Sequence, residues 1–355
     1  MNLSVGIVGL PNVGKSTLFN ALLKQQVALA ANYPFATIEP NVGIAQVPDA
    51  RLAVLAQVVH TSVLKPATVE FVDIAGLVKG ASTGEGLGNQ FLSHIRETSA
   101  ICHVLRGFTD NEIIREGSVS PKEDLEIIRT ELQLADLATV DKQPQPKGST
   151  TPEQKERWDA VVKFKTALSE GKMVNTLNLS PEEQLIAKEL NLLTAKSEIF
   201  AINVDEDKLG TDGYSTQLGV NPQSVVVVSA RIESELSTLS EEDQKEYMKE
   251  LGIEKSGLER LAETAYATLG LQSFLTAGEL EVRAWTITKG TTAPQAAGVI
   301  HTDFIKKFIK ANIASFEDFI TLGGWKGVKE AGKMRIEGKE YVMREGDVVE
   351  FMIGS

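Results

Sequence analysis

Short runs of apolar residues, each bounded by glycine or polar residues, recur along the 355-residue chain. Five of these runs predict buried strands: residues 5–8, 68–72, 101–105, 198–202 and 225–228. After the first run, which ends at Val8, residues 18–23 predict a helix. Strands and helices that follow one another in this way indicate an α/β fold.

Between residues 121 and 193 the apolar spacing changes to three and four residues, which predicts helices. The first helix carries an apolar seam, and residues 143–152 are rich in Pro, Ser, Thr and Gly, which predicts a turn before a second helix. A third helix is predicted with Ser180 at its N-cap and Pro181 at its first position. The pattern indicates an inserted antiparallel helical hairpin, which either packs within the protein or serves as an arm for a partner. The seam consists of Leu125, Ile128, Leu132 and Ala135.

From residue 275 onwards the pattern changes to short strands, of which 282–287 alternates clearly. Residues 302–311 predict a short helix that places Lys306 and Lys310 one turn apart on one face. That face is either simply solvated or a contact for a phosphate backbone.

These changes of pattern divide the chain into three predicted parts. The α/β domain comprises residues 1–122 and 194–274, the helical hairpin 123–193, and a small C-terminal domain 275–355.

Composition and charge exclude several classes of function. The net charge is −12, and residues 275–355 are neutral, so bulk attraction to nucleic acid and sequence-specific DNA binding are not expected. Cys102 is the only cysteine, which excludes an intrachain disulfide, and its apolar surroundings predict a buried thiol. No apolar run approaches the roughly 20 residues of a membrane span, and residues 1–3 do not open a signal segment. A cytoplasmic protein without a membrane partner is therefore expected.

The loop after the first strand carries the strongest chemical signal in the chain. Residues 9–16 read Gly-x-x-x-x-Gly-Lys-Ser between a predicted strand and a predicted helix, which is the phosphate-binding P-loop pattern. Glycines let backbone N–H groups surround phosphate oxygens, and the helix N-terminus adds partial positive charge. Lys15 is predicted to reach the β- and γ-phosphates, and the Ser16 hydroxyl to bind Mg²⁺. The predicted nucleotide-binding residues of this loop are Asn12, Val13, Gly14, Lys15, Ser16 and Thr17.

Two further segments have the character of nucleotide-dependent switches. Thr37 lies in a loop between Pro34 and Pro40, where its hydroxyl is placed to bind Mg²⁺ when a γ-phosphate is present. The strand at 68–72 leads into Asp73, predicted to hold Mg²⁺ through water, and Gly76, whose N–H is predicted to reach the γ-phosphate. The predicted metal ligands are therefore Ser16, Thr37 and Asp73.

The segment 203–206 bears on base recognition. GTPases place Asn-Lys-x-Asp here, and this chain has Asn203, Val204, Asp205 and Glu206. The extra methylene of Glu206 changes the geometry in which an Asp accepts two hydrogen bonds from guanine. Adenine presents an amino donor and the N7 acceptor, which suit an amide such as that of Asn203.

The motifs at residues 9–17, 32–43, 72–92 and 282–304 together resemble the YchF/Obg-like ATPase family, a branch of the Obg-related translation-factor GTPases. The resemblance covers nearly the whole chain. It implies an Obg-type P-loop domain, an inserted helical hairpin and a C-terminal β-grasp TGS domain. It also implies a preference for ATP over GTP, Mg²⁺ as cofactor, and the ribosome, through its large subunit, as partner. Base contacts are implied for Phe108 and the Val204 backbone, and for the loop that contains Ser229 and Ala230.

Turnover is expected to be slow. Leu77 stands where many GTPases have a water-orienting glutamine, and the loop after the 101–105 strand lacks the histidine that the family places there. Arg115 lies nearest to that position and is a candidate for stabilising charge on the γ-phosphate. The predicted catalytic residues are Lys15, Thr37, Gly76 and Arg115. K⁺ is a second candidate cofactor, since Asn12 resembles a residue of potassium-dependent relatives, although it would equally serve to brace the loop.

The sequence therefore predicts a ribosome-associated ATPase that hydrolyses ATP slowly to ADP with Mg²⁺ and acts as a switch. Two alternatives stay open at this point: a GTPase translation factor, and a nucleotide-gated ribosome-binding module with negligible hydrolysis.

Overall fold

The computed structural model describes residues 3–30, 41–74, 87–108, 120–148 and 151–354. It divides into two compact units. The first contains Met1–Ile44 and Glu70–Thr264, and the second contains Ala45–Val69 and Ala265–Ser355.

The strands and helices of the described residues are numbered in chain order. The strands are β1 (Ser4–Val8), β2 (Val42–Gln46), β3 (Leu64–Lys65), β4 (Thr68–Asp73), β5 (Ala100–Arg106), β6 (Ser197–Asn203), β7 (Val225–Val228), β8 (Leu271–Ala277), β9 (Val282–Thr288), β10 (Phe308–Ala314), β11 (Arg335–Glu337) and β12 (Val348–Ile353). The helices are α1 (Lys15–Ala30), α2 (Ala50–Val59), α3 (Leu87–Glu97), α4 (Pro121–Val140), α5 (Pro152–Ser169), α6 (Pro181–Glu189), α7 (Tyr214–Leu218), α8 (Ala230–Leu236), α9 (Glu241–Glu250), α10 (Gly257–Thr268), α11 (Ala293–Ile300), α12 (Phe304–Lys307), α13 (Phe316–Thr321) and α14 (Trp325–Glu330). In this part of the chain no helix has both the length and the hydrophobicity of a membrane-spanning segment.

The first unit is built on a six-stranded sheet in the order β2-β4-β1-β5-β6-β7. β1 pairs in parallel with β4 and β5, and β6 pairs in parallel with β5 and β7. β1 and β5 are buried along their whole length, as the continuous apolar runs predict. The carboxyl ends of the five parallel strands meet at one edge of the sheet, where α/β proteins bind ligands.

The predicted apolar seam of the first hairpin helix packs on the parallel sheet. Leu125, Ile128 and Leu132 of α4 share one core cluster with Val8 of β1 and Leu105 of β5. A second cluster joins the end of α4 to α5 and α6. The first helix of the predicted 123–193 hairpin is thus part of the α/β core. Periodicity predicts that one helix face is buried, but it does not identify the partner, and a 20-residue helix, about 30 Å long, reaches both clusters.

The second unit contains a mixed sheet in the order β11-β10-β12-β8-β9-β3. β10 is antiparallel to β11 and β12, β8 is antiparallel to β9, and β12 is parallel to β8. Helix α11 packs its alanines into a core that includes Phe274, Ile287 and Ile313. A mixed sheet with a helix on one face agrees with the predicted β-grasp module.

The predicted helix over residues 302–311 is wrong. Helix α12 ends at Lys307, and β10 begins at Phe308. Lys310 lies opposite Met352 of β12, so Lys306 and Lys310 do not share a helix face. The sheet decides this segment, because Phe308, Ala311 and Ile313 enter the core only when the chain is extended.

The second unit also begins earlier in the chain than the predicted boundary at residue 275. It includes β3, in which Leu64 pairs with Val282 of β9. It also includes α2, whose Arg51 forms an ion pair with Glu345 at 2.5 Å. Pairing between residues so far apart in sequence is not encoded in a local pattern.

Candidate nucleotide-binding site

The phosphate-binding loop joins β1 to α1 with the backbone geometry that its glycines predict. Asn12 and Gly14 have φ angles of 62° and 90°, both in the left-handed region. The Leu18 N–H donates to the Gly14 carbonyl at 3.0 Å and closes the first turn of a 16-residue helix. A glycine-rich turn at a helix N-terminus is suited to binding phosphate, because its N–H groups and the helix dipole both favour an anion.

Two glycines of this loop leave no room for a side chain. A Cβ atom on Gly9 would lie 2.9 Å from the Val104 carbonyl oxygen. A Cβ atom on Gly14 would collide with the side-chain amide of Asn203. Gly14 is therefore required both for its left-handed backbone and for the close approach of Asn203.

Lys15 and Asp73 form an ion pair between Nζ and Oδ1. Asp73 is the last residue of β4, lies opposite Ile7 of β1, and donates its N–H to the Asn41 carbonyl at 2.9 Å. Its carboxylate is thereby held beside the phosphate loop, and its predicted role in holding Mg²⁺ through water stays a prediction. Since Ser16 follows Lys15 in α1, the structure brings together Lys15, Ser16 and Asp73 at the carboxyl edge of the sheet.

The oxygen donors at this edge fit a magnesium ion. Mg²⁺ in nucleotide sites takes one or two protein ligands and completes its shell with phosphate and water. Across the described ranges, no group of three or more His, Cys, Asp and Glu side chains is arranged to hold a metal by itself. Ser16, which is exposed, and Asp73 provide a hydroxyl and a carboxylate, which are oxygen donors of the kind that Mg²⁺ prefers.

Four other residues singled out by the sequence lie outside the described residues: Thr37, Gly76, Leu77 and Arg115. Their predicted roles in metal binding and hydrolysis stay predictions. The potassium role of Asn12 is likewise a prediction.

Asn203 connects three loops of the site. Its side-chain Nδ2 donates to the Val13 carbonyl at 2.9 Å, and its Oδ1 accepts from the Ala230 N–H at 2.9 Å. It is only 6% exposed, so these hydrogen bonds are shielded from water. This bracing role was not predicted from the sequence. A base contact by Asn203 would use the second amide hydrogen or the second lone pair of the oxygen.

The residues after Asn203 differ in type from the Asn-Lys-x-Asp loop of GTPases, and the structure gives each of them a partner within the protein. The Val204 side chain is 3% exposed and packs against Gly107, and the Val204 N–H donates to the Val228 carbonyl at 2.8 Å. A base contact through this backbone therefore falls to the Val204 carbonyl. Glu206 begins a short 3-10 turn, and its carboxylate lies 3.4 Å from the Arg231 guanidinium.

The end of β5 carries an arginine and an aromatic ring that face each other. Arg106 lies opposite Asn203, and its guanidinium carbon is 4.4 Å from the centre of the Phe108 ring. Ser229 and Ala230, the other predicted base-site residues, are buried at the start of α8. The family resemblance implies a base contact for Phe108, whereas no sequence motif points to Arg106. A charged residue at the end of a strand that is apolar apart from His103 is the signal that would have found it.

Cys102 is buried in β5, as predicted. Its side chain is wholly inaccessible to solvent, and this burial raises the pKa of the thiol to about 12. A thiol with so high a pKa is not a nucleophile at neutral pH.

Comparison with known proteins places these features in a family. A family model described as a 50S ribosome-binding GTPase matches residues 4–145. The model of the YchF GTPase C-terminal domain, described as a protein of unknown function, matches residues 271–354. A ribosome-binding ATPase YchF from Escherichia coli O157:H7 is 50% identical over 362 residues, which is 99% of each chain. The chain belongs to the YchF family.

Other YchF proteins agree with this assignment. The ribosome-binding ATPase YchF of Bacillus subtilis (strain 168) is 48% identical over 366 residues, again 99% of each chain. The solved structure of the Schizosaccharomyces pombe YchF GTPase superposes with a TM-score of 0.88 at 40% identity, over 99% of this chain and 98% of that one. The predicted fold, a P-loop α/β domain with a separate C-terminal sheet domain, is confirmed by these matches.

Proposed function

We propose that this chain is a ribosome-associated P-loop ATPase that hydrolyses ATP slowly with Mg²⁺ and acts as a regulatory switch. The observation that carries the proposal is the combination of a complete phosphate loop with a base loop in which Val204 and Glu206 replace the guanine-reading Lys and Asp. YchF relatives named as ribosome-binding ATPases support it.

Each residue of the phosphate site has a role in this proposal. The loop N–H groups and Lys15 bind the phosphates, and Ser16 and Asp73 would hold a Mg²⁺ ion, which would supply charge neutralisation at the phosphates. Lys15 leaves Asp73 when nucleotide arrives, because phosphate and metal offer both groups stronger partners. Thr37 and Gly76 complete the contacts to metal and γ-phosphate. Asn12 either binds K⁺ beside the phosphates or braces the loop.

ATP should bind roughly five- to a hundredfold more tightly than GTP, because the paired guanine hydrogen bonds, worth ~1–3 kcal/mol, are lost at Glu206. Calorimetric titration with both nucleotides measures the ratio. Glu206→Asp should move the ratio toward GTP, whereas Glu235→Asp should not change it. Glu235 is a matched control because its carboxylate lies 3.3 Å from the same Arg231 but belongs to α8. Equal or tighter binding of GTP by the unchanged protein would exclude the ATP preference.

The basal turnover should be on the order of 10⁻⁴–10⁻² s⁻¹, the range of unassisted relatives of this chemistry. Leu77 has no polar atom with which to orient water, and Arg115 remains protonated and cannot act as a base. Single-turnover phosphate release measures the rate, and Arg115→Ala separates two roles. A further large decrease identifies an internal arginine finger, and an unchanged rate identifies a solvated residue. A basal rate above about 1 s⁻¹ would contradict this account of the site.

A GTPase remains the second candidate, since the family model and the S. pombe structure both carry that name. The same titration decides between the two. Whether turnover rises when ribosomes are added separates a ribosome-stimulated enzyme from a nucleotide-gated binding module that hydrolyses negligibly.

The second unit should contribute salt-sensitive contacts to the large ribosomal subunit. Lys306 and Lys307 are adjacent exposed cations at α12, a suitable arrangement for a phosphate backbone. Lys306→Glu combined with Lys307→Glu should weaken co-sedimentation and lower the slope of log affinity against log salt by about 0.7–0.9 per contact. The control carries the same Lys→Glu changes at Lys245 and Lys249, two exposed lysines of α9 in the first unit, and should bind as the unchanged protein does.

Identical binding and slope in the Lys306/Lys307 variant would remove this surface from the proposal. Deletion of residues 275–355 is a poorer test, because it also removes β9, the sheet partner of β3.

A further inference from the structure

We propose that Arg106 is a positioning residue that fixes the Phe108 ring as a stacking platform for the nucleotide base. The inference rests on the proposed function in that it requires a nucleotide at this site, but it does not depend on which base is preferred.

The two residues lie where the base loop meets the sheet. Arg106 is the last residue of β5 and lies opposite Asn203, the last residue of β6. The next residue, Gly107, donates its N–H to the Asn203 carbonyl at 2.8 Å, and its missing side chain leaves space for Val204. Phe108 therefore leaves the sheet directly beside the loop that is expected to contact the base.

Arg106 holds Phe108 at two points. Its guanidinium carbon lies 4.4 Å from the ring centre, within the range of a cation–π contact. Its Nε also donates to the Phe108 carbonyl at 3.3 Å. One side chain thus restrains both the ring and the backbone of Phe108. Because the ring is already ordered, less conformational entropy is lost when a base binds to it.

Arg106 is a buried charged residue at a position where an apolar side chain would pack at a lower cost in free energy. It is 2% exposed, and a guanidinium in such a position is costly unless neighbouring groups compensate for it. The wholly buried Asp124 of α4 accepts from the Arg106 backbone N–H at 3.5 Å, which anchors the end of β5, while the guanidinium itself contacts the Phe108 carbonyl and ring. Apart from Arg106 and His103, β5 consists of apolar residues, so packing alone would be served by another such side chain.

The arrangement gives the platform a defined chemistry. The guanidinium lies over one face of the half-buried ring, so in this proposal the base stacks on the other face. Stacking on an aromatic ring accepts every base, because each has a π-face. The platform therefore supplies affinity for nucleotides whatever their base, while the choice between ATP and GTP belongs to Asn203, Val204 and Glu206.

The test compares Arg106→Lys with Arg129→Lys in the full chain. Lysine keeps the charge but loses the flat guanidinium over the ring. Arg129 serves as the control, because its guanidinium also lies over a phenylalanine, Phe200, at 5.6 Å, but it pairs with Glu198 near the amino end of β6, in another part of the sheet. Dissociation constants are measured for ATP, GTP and inorganic tripolyphosphate, which has no base, alongside thermal unfolding.

Arg106→Lys should raise the dissociation constants of ATP and GTP by the same factor, about two- to thirtyfold, and leave that of tripolyphosphate unchanged. Phe108→Leu should raise the dissociation constants of ATP and GTP roughly five- to a hundredfold and leave that of tripolyphosphate unchanged. If Arg106→Lys does not fold, the Phe108→Leu variant provides the test. Arg129→Lys should change none of the three.

Two results would overturn the proposal: unchanged nucleotide affinity in the folded variants, or an equal loss of affinity for tripolyphosphate. Equal affinity of the unchanged protein for ATP and GTP would instead contradict the proposed ATP preference and leave the platform standing.

Discussion

Lys15→Ala should reduce ATP turnover by at least about 10²–10³-fold, the loss that accompanies removal of one preorganised donor from a transition state. The Lys15 side chain is one-tenth exposed and is held at the phosphate loop by Asp73, so its charge acts in a poorly screened position. Single-turnover phosphate release at saturating ATP and Mg²⁺ measures the effect. The nucleotide-free variant should also unfold at a lower temperature, because the largely buried Asp73 carboxylate loses its cation.

The matched control for this variant is Lys24→Ala. Lys24 lies on the same helix, α1, and is exposed to solvent. The Lys24→Ala variant should hydrolyse ATP at the rate of the unchanged protein. A decrease of less than about tenfold for Lys15→Ala would mean that the loop N–H groups and metal stabilise the phosphates without this cation.

Gly14→Ala should destabilise the first unit by roughly 2–5 kcal/mol and abolish measurable nucleotide binding. About 1–2 kcal/mol follows from placing a side chain on a left-handed backbone. A further ~1–3 kcal/mol follows from pushing aside the Asn203 amide and leaving buried polar groups without their partners. Urea unfolding and nucleotide titration measure the two effects.

Gly252→Ala isolates the backbone contribution. Gly252 also has a left-handed backbone, with φ of 68°, but a Cβ atom there would meet nothing within 4 Å. Gly252→Ala should therefore lower the free energy of unfolding only by the ~1–2 kcal/mol of the left-handed backbone, and leave nucleotide affinity unchanged. Equal destabilisation by the two alanines would show that the contact between Gly14 and Asn203 contributes nothing measurable.

The sequence by itself determined the features that depend on neighbouring residues. The spacing of two glycines, a lysine and a serine predicts a turn and a helix N-terminus, and β1 and α1 have that geometry. Continuous apolar runs predict buried strands, and Ser180 with Pro181 predicts the start of α6. The family resemblance, carried by motifs along nearly the whole chain, extended this local information to the C-terminal domain.

The tertiary structure decided the features that depend on contacts between distant residues. Asn203 was predicted as a base contact, and only the folded chain places its amide between Val13 and Ala230, in the space left by Gly14. The seam of α4 was predicted to be buried, but the sheet was not predicted as its partner. Residues 308–311 have a local pattern compatible with a helix, and hydrogen bonding to β11 and β12 makes them a strand. In each case the local pattern specifies which face is apolar, whereas the free energy that selects the conformation comes from a partner far away in the sequence.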